Sequence, residues 1–170
     1  MKIVPASFED IKAIDDLRRK DQESVGFIPL SRYEAEVERG RATLLSAFEN
    51  DDLVGFLFWT RGFPIATIQQ VVVREDARRM ERATALVTTA LTEMESQGRV
   101  GVTCRSRLNI PGIALWRALG WRELRREQGG KRGDLARFYH EIRPVLFDLA
   151  PYLRASGFLP GQRQGFRRRS

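Results

Sequence analysis

A strand, a long helix and a second strand follow one another directly in this chain of 170 residues, and no other feature constrains its fold as much. Residues 66–73 are ATIQQVVV, a β-branched run typical of a central strand. From Ala77 to about Gln97 the apolar spacing becomes that of an amphipathic helix, which Gly98 ends. The short apolar segment 100–104 then predicts a buried strand. Strands that alternate with a helix in this way predict a domain of the mixed α/β class.

The segments on either side of this unit supply further strands and helices, which we predict from capping pairs, apolar runs and turn residues. In chain order they are a helix over about 7–20 capped by Ser7 and Asp10, a helix opened by the capping pair Ser31 and Glu34 and running to about Arg39, a hairpin of strands 43–48 and 53–60, a helix from Pro111 to Gly120, strands at 121–127 and 134–142, and a short helix after residue 144. The order predicts an α/β (α+β) fold with a single mixed central sheet of six to seven strands flanked by helices.

The charge of the chain is unevenly distributed. Its 29 Lys and Arg against 22 Asp and Glu give a net charge of +7, and residues 122–170, with 12 basic and 5 acidic side chains, account for it. The last predicted strand ends at 142, so we divide the chain into a domain at 1–143 and a basic extension at 144–170. The extension ends in an Arg-rich tail that would bind nucleic-acid phosphates through counterion release, with Arg163, Arg167, Arg168 and Arg169 as its basic residues. The alternative is a solvated terminus that keeps a basic protein soluble.

Composition also limits the cellular compartments and the kinds of site that we expect for this protein. A single cysteine, Cys104, cannot form an internal disulfide, which fits a reducing compartment. No apolar run reaches the length of a membrane span, and the first ten residues lack the pattern of a secretion signal. No Cys/His spacing suggests a metal site. We expect a cytoplasmic protein with neither a membrane partner nor a metal, and the sequence leaves a homodimer open.

The junction between the central strand and the long helix has the composition of a phosphate site. Unpaired N–H groups and the helix dipole attract anions at a helix N-terminus. Arg78, Arg79 and Arg82 add positive charge at the same place. The alternative is that these arginines are simply exposed in the first turn of the helix.

Two motifs at this junction and beyond it resemble those of the GNAT superfamily of acyl-CoA-dependent N-acyltransferases. In that family a strand precedes Arg/Gln-x-x-Gly-x-Gly/Ala, and here Arg78 and Ala83 match the outer positions, followed by the small-Leu-apolar run 85–87. Downstream, the family's spacing of Asn, small residue, aromatic and Gly-aromatic pair is matched by Asn109, Gly112, Trp116, Gly120 and Trp121. The hairpin strand 53–59 also looks like the family's strand before the central one. The resemblance covers about residues 1–143.

The resemblance implies a GNAT fold and an enzyme that transfers an acyl group from acetyl-CoA, or another acyl-CoA, to an amine. It implies that the central strand splays from its neighbour and that the backbone N–H groups of Val71 and Val73 meet the acyl carbonyl. The further residues implied to hold the donor are Arg78, Arg79, Met80, Glu81, Arg82, Ala83, Thr84, Asn109 and Trp116.

Two residues depart from the family pattern. Glu81 stands where the family has its central glycine, so a bulky side chain with a negative charge lies where a pyrophosphate approaches. Trp116 stands where a tyrosine often serves as general acid, and an indole cannot give up its proton at useful pH. These departures keep two alternatives open: a donor other than CoA, such as an aminoacyl-tRNA, and a catalytically inactive GNAT domain that binds nucleic acid.

A narrower likeness bears on the acceptor. The segments 74–79, 103–109 and 115–116 are similar to phage-type members of the superfamily, among which are the Mom-like proteins that modify bases in DNA. This likeness and the basic C-terminal third favour a nucleic-acid base, or its modified amine, as the acceptor.

The catalytic candidates lie on three predicted strands and one helix: Gln70, Tyr33, Cys104, Ser106 and Tyr139. Gln70, with Gln69, would orient an acceptor, and Tyr33 is a candidate acid. Cys104 and Ser106 follow the next strand toward the reacting carbon, although a lone strand cysteine is more often an inert core residue. Alternation along a strand allows only one of Tyr139 and His140 to face the cleft.

Overall fold

A seven-stranded mixed sheet forms the centre of the structure, a computed structural model that describes residues 1–21, 27–78, 80–129 and 133–155. Its strands are β1 (Lys2–Pro5), β2 (Ala42–Glu49), β3 (Asp52–Thr60), β4 (Ile65–Val73), β5 (Gly101–Arg107), β6 (Arg122–Glu127) and β7 (Leu135–Glu141). They lie in the order β1-β2-β3-β4-β5-β7-β6, and every neighbouring pair is antiparallel except β4 and β5. The prediction of one mixed sheet of six to seven strands flanked by helices is confirmed.

Helices cover both faces of this sheet. They are α1 (Asp10–Lys20), α2 (Leu30–Glu38), α3 (Met80–Ser96), α4 (Ile113–Ala118) and α5 (Ala150–Ala155). One apolar cluster joins α1 and α2 to the sheet through residues such as Ile14, Tyr33 and Phe58. A second cluster joins α3 and α4 to the opposite face through residues such as Leu57 and Leu86. The sheet therefore has an α1/α2 face and an α3/α4 face.

The two predicted capping pairs have different outcomes. The Ser7 N–H donates to Asp10 Oδ2 at 2.7 Å and the Asp10 N–H donates to Ser7 Oγ at 3.3 Å, as a capping box requires. Ser31 does not cap α2, because that helix already begins at Leu30 after the extended residue Pro29. Strand β1 was not predicted, since four residues at a sheet edge give too short a pattern.

A bulge in β4 changes which side chains face each side of the sheet. On β3, Trp59 pairs with Ile68 and Phe58 pairs with Gln70, so Gln69 is an extra residue in the ladder. Before the bulge Ile68 faces α3 and α4, and after it Val73 does, whereas Gln70 turns toward α2. The bulge therefore brings two consecutive polar side chains to the middle of the sheet.

Strands β4 and β5 separate beyond their first four residue pairs. Their parallel pairing runs from Ile65 with Gly101 to Ile68 with Cys104 and then stops. Strand β5 continues to Arg107 against β7, so it diverges from β4 rather than ending. The divergence opens a gap in the sheet beside the second half of β4, as the family resemblance implied.

The described part of the C-terminal extension packs on the sheet. Val145, Leu149 and Leu153 contact a small apolar cluster around Ile65 and Tyr139. The tail with Arg163, Arg167, Arg168 and Arg169 lies outside the described residues. No helix within the described ranges is both long enough and apolar enough to cross a membrane.

Candidate active site

The gap between β4 and β5 continues into a cleft of about 540 Å³ that is closed by the loop before α4 and by α4 itself. Its lining includes most of the second half of β4 and the end of β5, together with parts of α3 and α4: Thr67, Ile68, Gln69, Gln70, Val71, Val73, Ala83, Cys104, Arg105, Ser106, Arg107, Ile110, Leu115, Trp116 and Leu135. In the described part of the chain, no three His, Cys, Asp or Glu side chains are grouped so that they could hold a metal ion.

Backbone donors face this cleft along β4. The Arg74 N–H donates to the Val54 carbonyl of the β3 side at 2.8 Å. Because backbone groups alternate along an antiparallel strand, the N–H groups of Val71 and Val73 point the other way. No strand of the described residues pairs with β4 on that side, since β5 has already diverged. Two N–H groups are therefore directed into the cleft.

The arginines at the start of α3 are engaged by carboxylates. Arg78 lines the cleft, and its Nη2 lies 2.8 Å from Asp21 Oδ1. Arg82 makes two 2.7 Å bonds to Glu49 and so turns away from the cleft. Glu81 is exposed in the first turn of the helix, and Ala83 faces the cleft.

An aromatic stack forms the wall beside α4. Trp116 lines the cleft and lies 4.7 Å from the Trp121 ring, which stacks on His140 at 5.3 Å. Burial lowers the pKa of His140, so the ring is neutral at pH 7. The stack therefore gives the cleft an apolar wall in which Trp116 packs and does not donate a proton.

Cys104 and Ser106 lie next to each other on the cleft side of β5. Cys104 is 1% exposed and belongs to the core cluster on the α3/α4 face. Burial raises the pKa of its thiol well above the usual value, which leaves little of the thiolate that a nucleophile requires. Of these two residues, Ser106 is the one whose side chain, a hydroxyl, a reacting group in the cleft would meet.

Tyr33 reaches the cleft only through Gln70. Its side chain is fully buried on the α1/α2 face, and its O–H donates to Gln70 Oε1. Burial raises the pKa of this phenol, although the bond to Gln70 acts in the opposite direction. Tyr33 is therefore a neutral donor that holds the amide of Gln70 at the cleft.

Several predicted site residues lie away from the cleft. Tyr139 packs over Gly101 in the cluster beneath α5, so the structure does not bring it to the other candidates. Asn109 is exposed beside Gly133, and Thr84 is half-buried on α3 outside the lining. The side chain of Met80 and all of Arg79 fall outside the described residues.

Sequence reasoning missed the α1/α2 side of the cleft. Thr67, Arg105, Arg107, Leu135 and Asp21 line it but were not candidates. Alternation along 101–107 contains a signal for two of them, because arginines at every second position share one face of a strand. That the face borders a cleft depends on where β4 and β5 diverge, which the residue pattern does not contain.

Comparison with known proteins agrees with this geometry. A sequence model of the acetyltransferase (GNAT) family matches residues 11–121. The fold is similar to that of the ribosomal-protein-S18-alanine N-acetyltransferase from Escherichia coli, with a TM-score of 0.72 and 19% identity over 85% of this chain and 95% of that one. It is also similar to smu.2055 from Streptococcus mutans UA159, with a TM-score of 0.73 and 22% identity over 84% of this chain and 100% of that one.

A third similar fold is that of the aminoglycoside 6'-N-acetyltransferase from Enterococcus faecium, with a TM-score of 0.68 and 15% identity over 86% of this chain and 100% of that one. No curated protein sequence gives a significant match. Sequence identities this low mean that the three structures show only a shared fold. The match to the family model, in contrast, spans more than half of the chain. The chain belongs to the acetyltransferase (GNAT) family.

Proposed function

We propose that this protein is an N-acyltransferase that uses an acyl-CoA, in the first instance acetyl-CoA, and a primary amine. The observation that carries the proposal is the divergence of β4 and β5 beside the inward N–H groups of Val71 and Val73, in a chain of this family. When bound, acetyl-CoA supplies the acyl group as an activated thioester. The Val71 N–H would donate to the acyl oxygen and stabilise negative charge that develops there.

The cleft fits such a donor over most of its length. Its α3/α4 wall is apolar, with Ile110, Leu115 and Trp116 suited to a flexible pantetheine arm. Ala83 leaves space at the start of α3, where free backbone N–H groups attract phosphate. Arg78 lies at the same edge of the cleft, and its guanidinium would contact the phosphate while it keeps part of its pairing with Asp21.

Proton transfer is assigned to solvent. Among the described residues that line the cleft, Asp21 is the one carboxylate, and it is paired with Arg78. Gln69 and Gln70 would orient the amine through hydrogen bonds, but neither takes up a proton. For an alkylamine acceptor we therefore expect the rate to rise with pH up to the pKa of that amine, because only the deprotonated amine is acylated. The amino group of a nucleic-acid base is already neutral at pH 7 and should give no such rise.

For the acceptor we propose an amine of a nucleic-acid base. The net charge of +7 and the two arginines at the mouth of the cleft, Arg105 and Arg107, support an acceptor that carries phosphates. The exposed Glu81 and the diversion of Arg82 to Glu49 favour one alternative in particular, a donor other than CoA.

Calorimetric titration with acetyl-CoA and with CoA tests the donor. We expect micromolar binding of both, and we expect Glu81→Gln to tighten it about fivefold, because like charges a few Å apart at a surface repel by roughly 1 kcal/mol. Glu95→Gln, at the far end of α3, is the matched control and should bind as the original protein does. Absence of binding by all three proteins would overturn the CoA donor and leave an aminoacyl donor or an inactive binding domain.

A further inference from the structure

Three arginines lie in one row across β5, β7 and β6. Arg137 on β7 is paired in register with Arg105 on one side and with Arg125 on the other. The neighbours of Arg137 along the strand, Ala136 and Phe138, pack on the α3/α4 face. Because side chains alternate, the three arginines share the opposite, α1/α2 face.

This row holds more positive charge than the described residues compensate. Glu127 accepts from Arg137 Nε at 2.8 Å and from Arg125 Nε at 3.1 Å, and it is the row's one acidic partner in the described ranges. Arg137 is 1% exposed, and Arg125 Nη2 is buried with no hydrogen-bond partner there. Arg105 makes no ion pair with a described residue. Three cations against one carboxylate leave an excess of two positive charges.

Arg137 is buried and Arg125 half-buried, and the two share a single carboxylate. Such incomplete compensation of buried charge is costly, so it is retained where a ligand supplies the missing charge. Like charges placed directly opposite each other on neighbouring strands also repel. A second carboxylate in the row would relieve both effects, but none is found among the described residues. The composition of the row is therefore that of an anion site rather than of a structural ion-pair network.

The row begins at the mouth of the cleft. Arg105, together with Arg107 and Leu135, lines the cleft from the α1/α2 side, while Cys104 and Ser106 line it from the α3/α4 side. The donor wall, with Ala83 and Trp116, is on the α3/α4 side as well. A second substrate that enters opposite the donor therefore passes Arg105 before it reaches Gln70.

We propose that this row, with Arg105 as the exposed contact, binds a phosphate group of the acceptor. Guanidinium groups present paired N–H donors that match phosphate oxygens, and a dianionic phosphate balances the excess charge, whereas a single carboxylate balances half of it. The proposal rests on the proposed acyltransferase function. The phosphate belongs either to a nucleic acid or to a small phosphorylated amine, and the experiment separates these sources.

The test compares acceptors that differ by one phosphate. CoA release from acetyl-CoA is measured with ethanolamine against phosphoethanolamine, with glucosamine against glucosamine 6-phosphate, and with a short single-stranded oligonucleotide. We expect the phosphorylated amine, or the oligonucleotide, to be preferred in kcat/KM. Arg105→Gln should lower that preference by about 10- to 100-fold, the loss expected for a charge-assisted hydrogen bond, with KM for acetyl-CoA unchanged.

Arg126→Gln is the control, because Arg126 lies on the same strand as Arg125 but faces the other side, 64% exposed and paired with Glu123. It should behave as the original protein in every assay. Acylation of both members of each pair at equal rates, unaffected by Arg105→Gln, would overturn the phosphate site while the acyltransferase function stands.

A binding measurement separates failure of the site from failure of the function. Phosphoethanolamine and the oligonucleotide are titrated by calorimetry into the protein, with and without CoA. Binding that Arg105→Gln abolishes and Arg126→Gln retains supports the site even if no acyl transfer is found. Binding that is the same in all three proteins contradicts it.

Discussion

At the scale of single residues, Tyr33 shows how burial changes a role that sequence alone suggests. A tyrosine in the helix that walls the acceptor side is a candidate acid, but its ring lies edge-on to Phe58 at 4.9 Å and to Phe56 at 6.3 Å. The surrounding aromatic core raises the pKa of the phenol, so it stays neutral at any pH near 7. Its contribution is the hydrogen bond that positions Gln70.

Tyr33→Phe tests this positioning role. Removal of the hydroxyl should lower the free energy of unfolding by about 1–3 kcal/mol, because a buried amide oxygen loses a donor. It should also lower kcat with little change in KM for acetyl-CoA, and the pH profile should keep its shape because the phenol does not titrate. Urea unfolding and steady-state kinetics measure both effects. Tyr152→Phe, an exposed tyrosine on α5, is the control; an equal loss there would contradict the interpretation.

At the scale of elements, α1 contains a buried charge pair between two of its own residues, in addition to its apolar contacts with the sheet. Arg18 is 1% exposed, and its Nη2 lies 2.6 Å from Asp15 Oδ1, while Arg19 bonds the other oxygen at 2.8 Å. Burial acts to raise the pKa of Asp15, but the hydrogen bonds from Arg18 and Arg19 outweigh it and hold that pKa below its usual value. The folded state therefore favours the ionised carboxylate.

Asp15→Asn should lower the free energy of unfolding by about 3 kcal/mol at pH 7, because it leaves the buried Arg18 without its carboxylate. Since the folded pKa is lowered, the stabilisation is complete above the ordinary carboxyl pKa of 3.8 and is lost as the pH falls through the folded value. The original protein and the variant should therefore approach each other in stability as the pH falls below 3.8. Asp16→Asn, at an exposed neighbouring position, is the control for urea unfolding across pH. A constant difference between the two variants at all pH values would contradict the pairing.

The residue pattern along the chain predicted the individual strands and helices better than it predicted the contacts between them. Strand β4 and helix α3 lie within a few residues of their predicted bounds, because period and composition are local properties. The bulge at Gln69 was not predicted, since nothing in ATIQQVVV distinguishes an extra residue from a regular one. The bulge exists because β3 has one residue fewer than β4 over the paired stretch. It is therefore a property of the two strands together and not of β4 alone.

At the scale of the whole molecule, charge is concentrated toward the C-terminal third and toward the cleft. Removal of residues 156–170 takes away Arg163, Arg167, Arg168 and Arg169. If these residues contact phosphates, oligonucleotide affinity should fall and the slope of log affinity against log salt should become shallower by up to about 3. Fluorescence anisotropy at several salt concentrations measures both quantities. A variant with these four arginines replaced by lysine is the control, and it should keep the slope of the original protein. Unchanged oligonucleotide affinity after truncation would contradict a phosphate contact by the tail.

Local periodicity and the motifs along the chain were enough to predict the class of fold, the order of nearly all elements and the family. Which of the predicted residues share the cleft depends on how the strands and helices pack. Packing brings Gln70, Val71, Ser106 and Trp116 together and leaves Tyr139 apart. It also assembled a row from arginines on three strands, of which Arg105 and Arg125 are not adjacent in sequence to Arg137. Register and the divergence of two strands set these contacts, and both arise from pairing between segments that are distant in sequence.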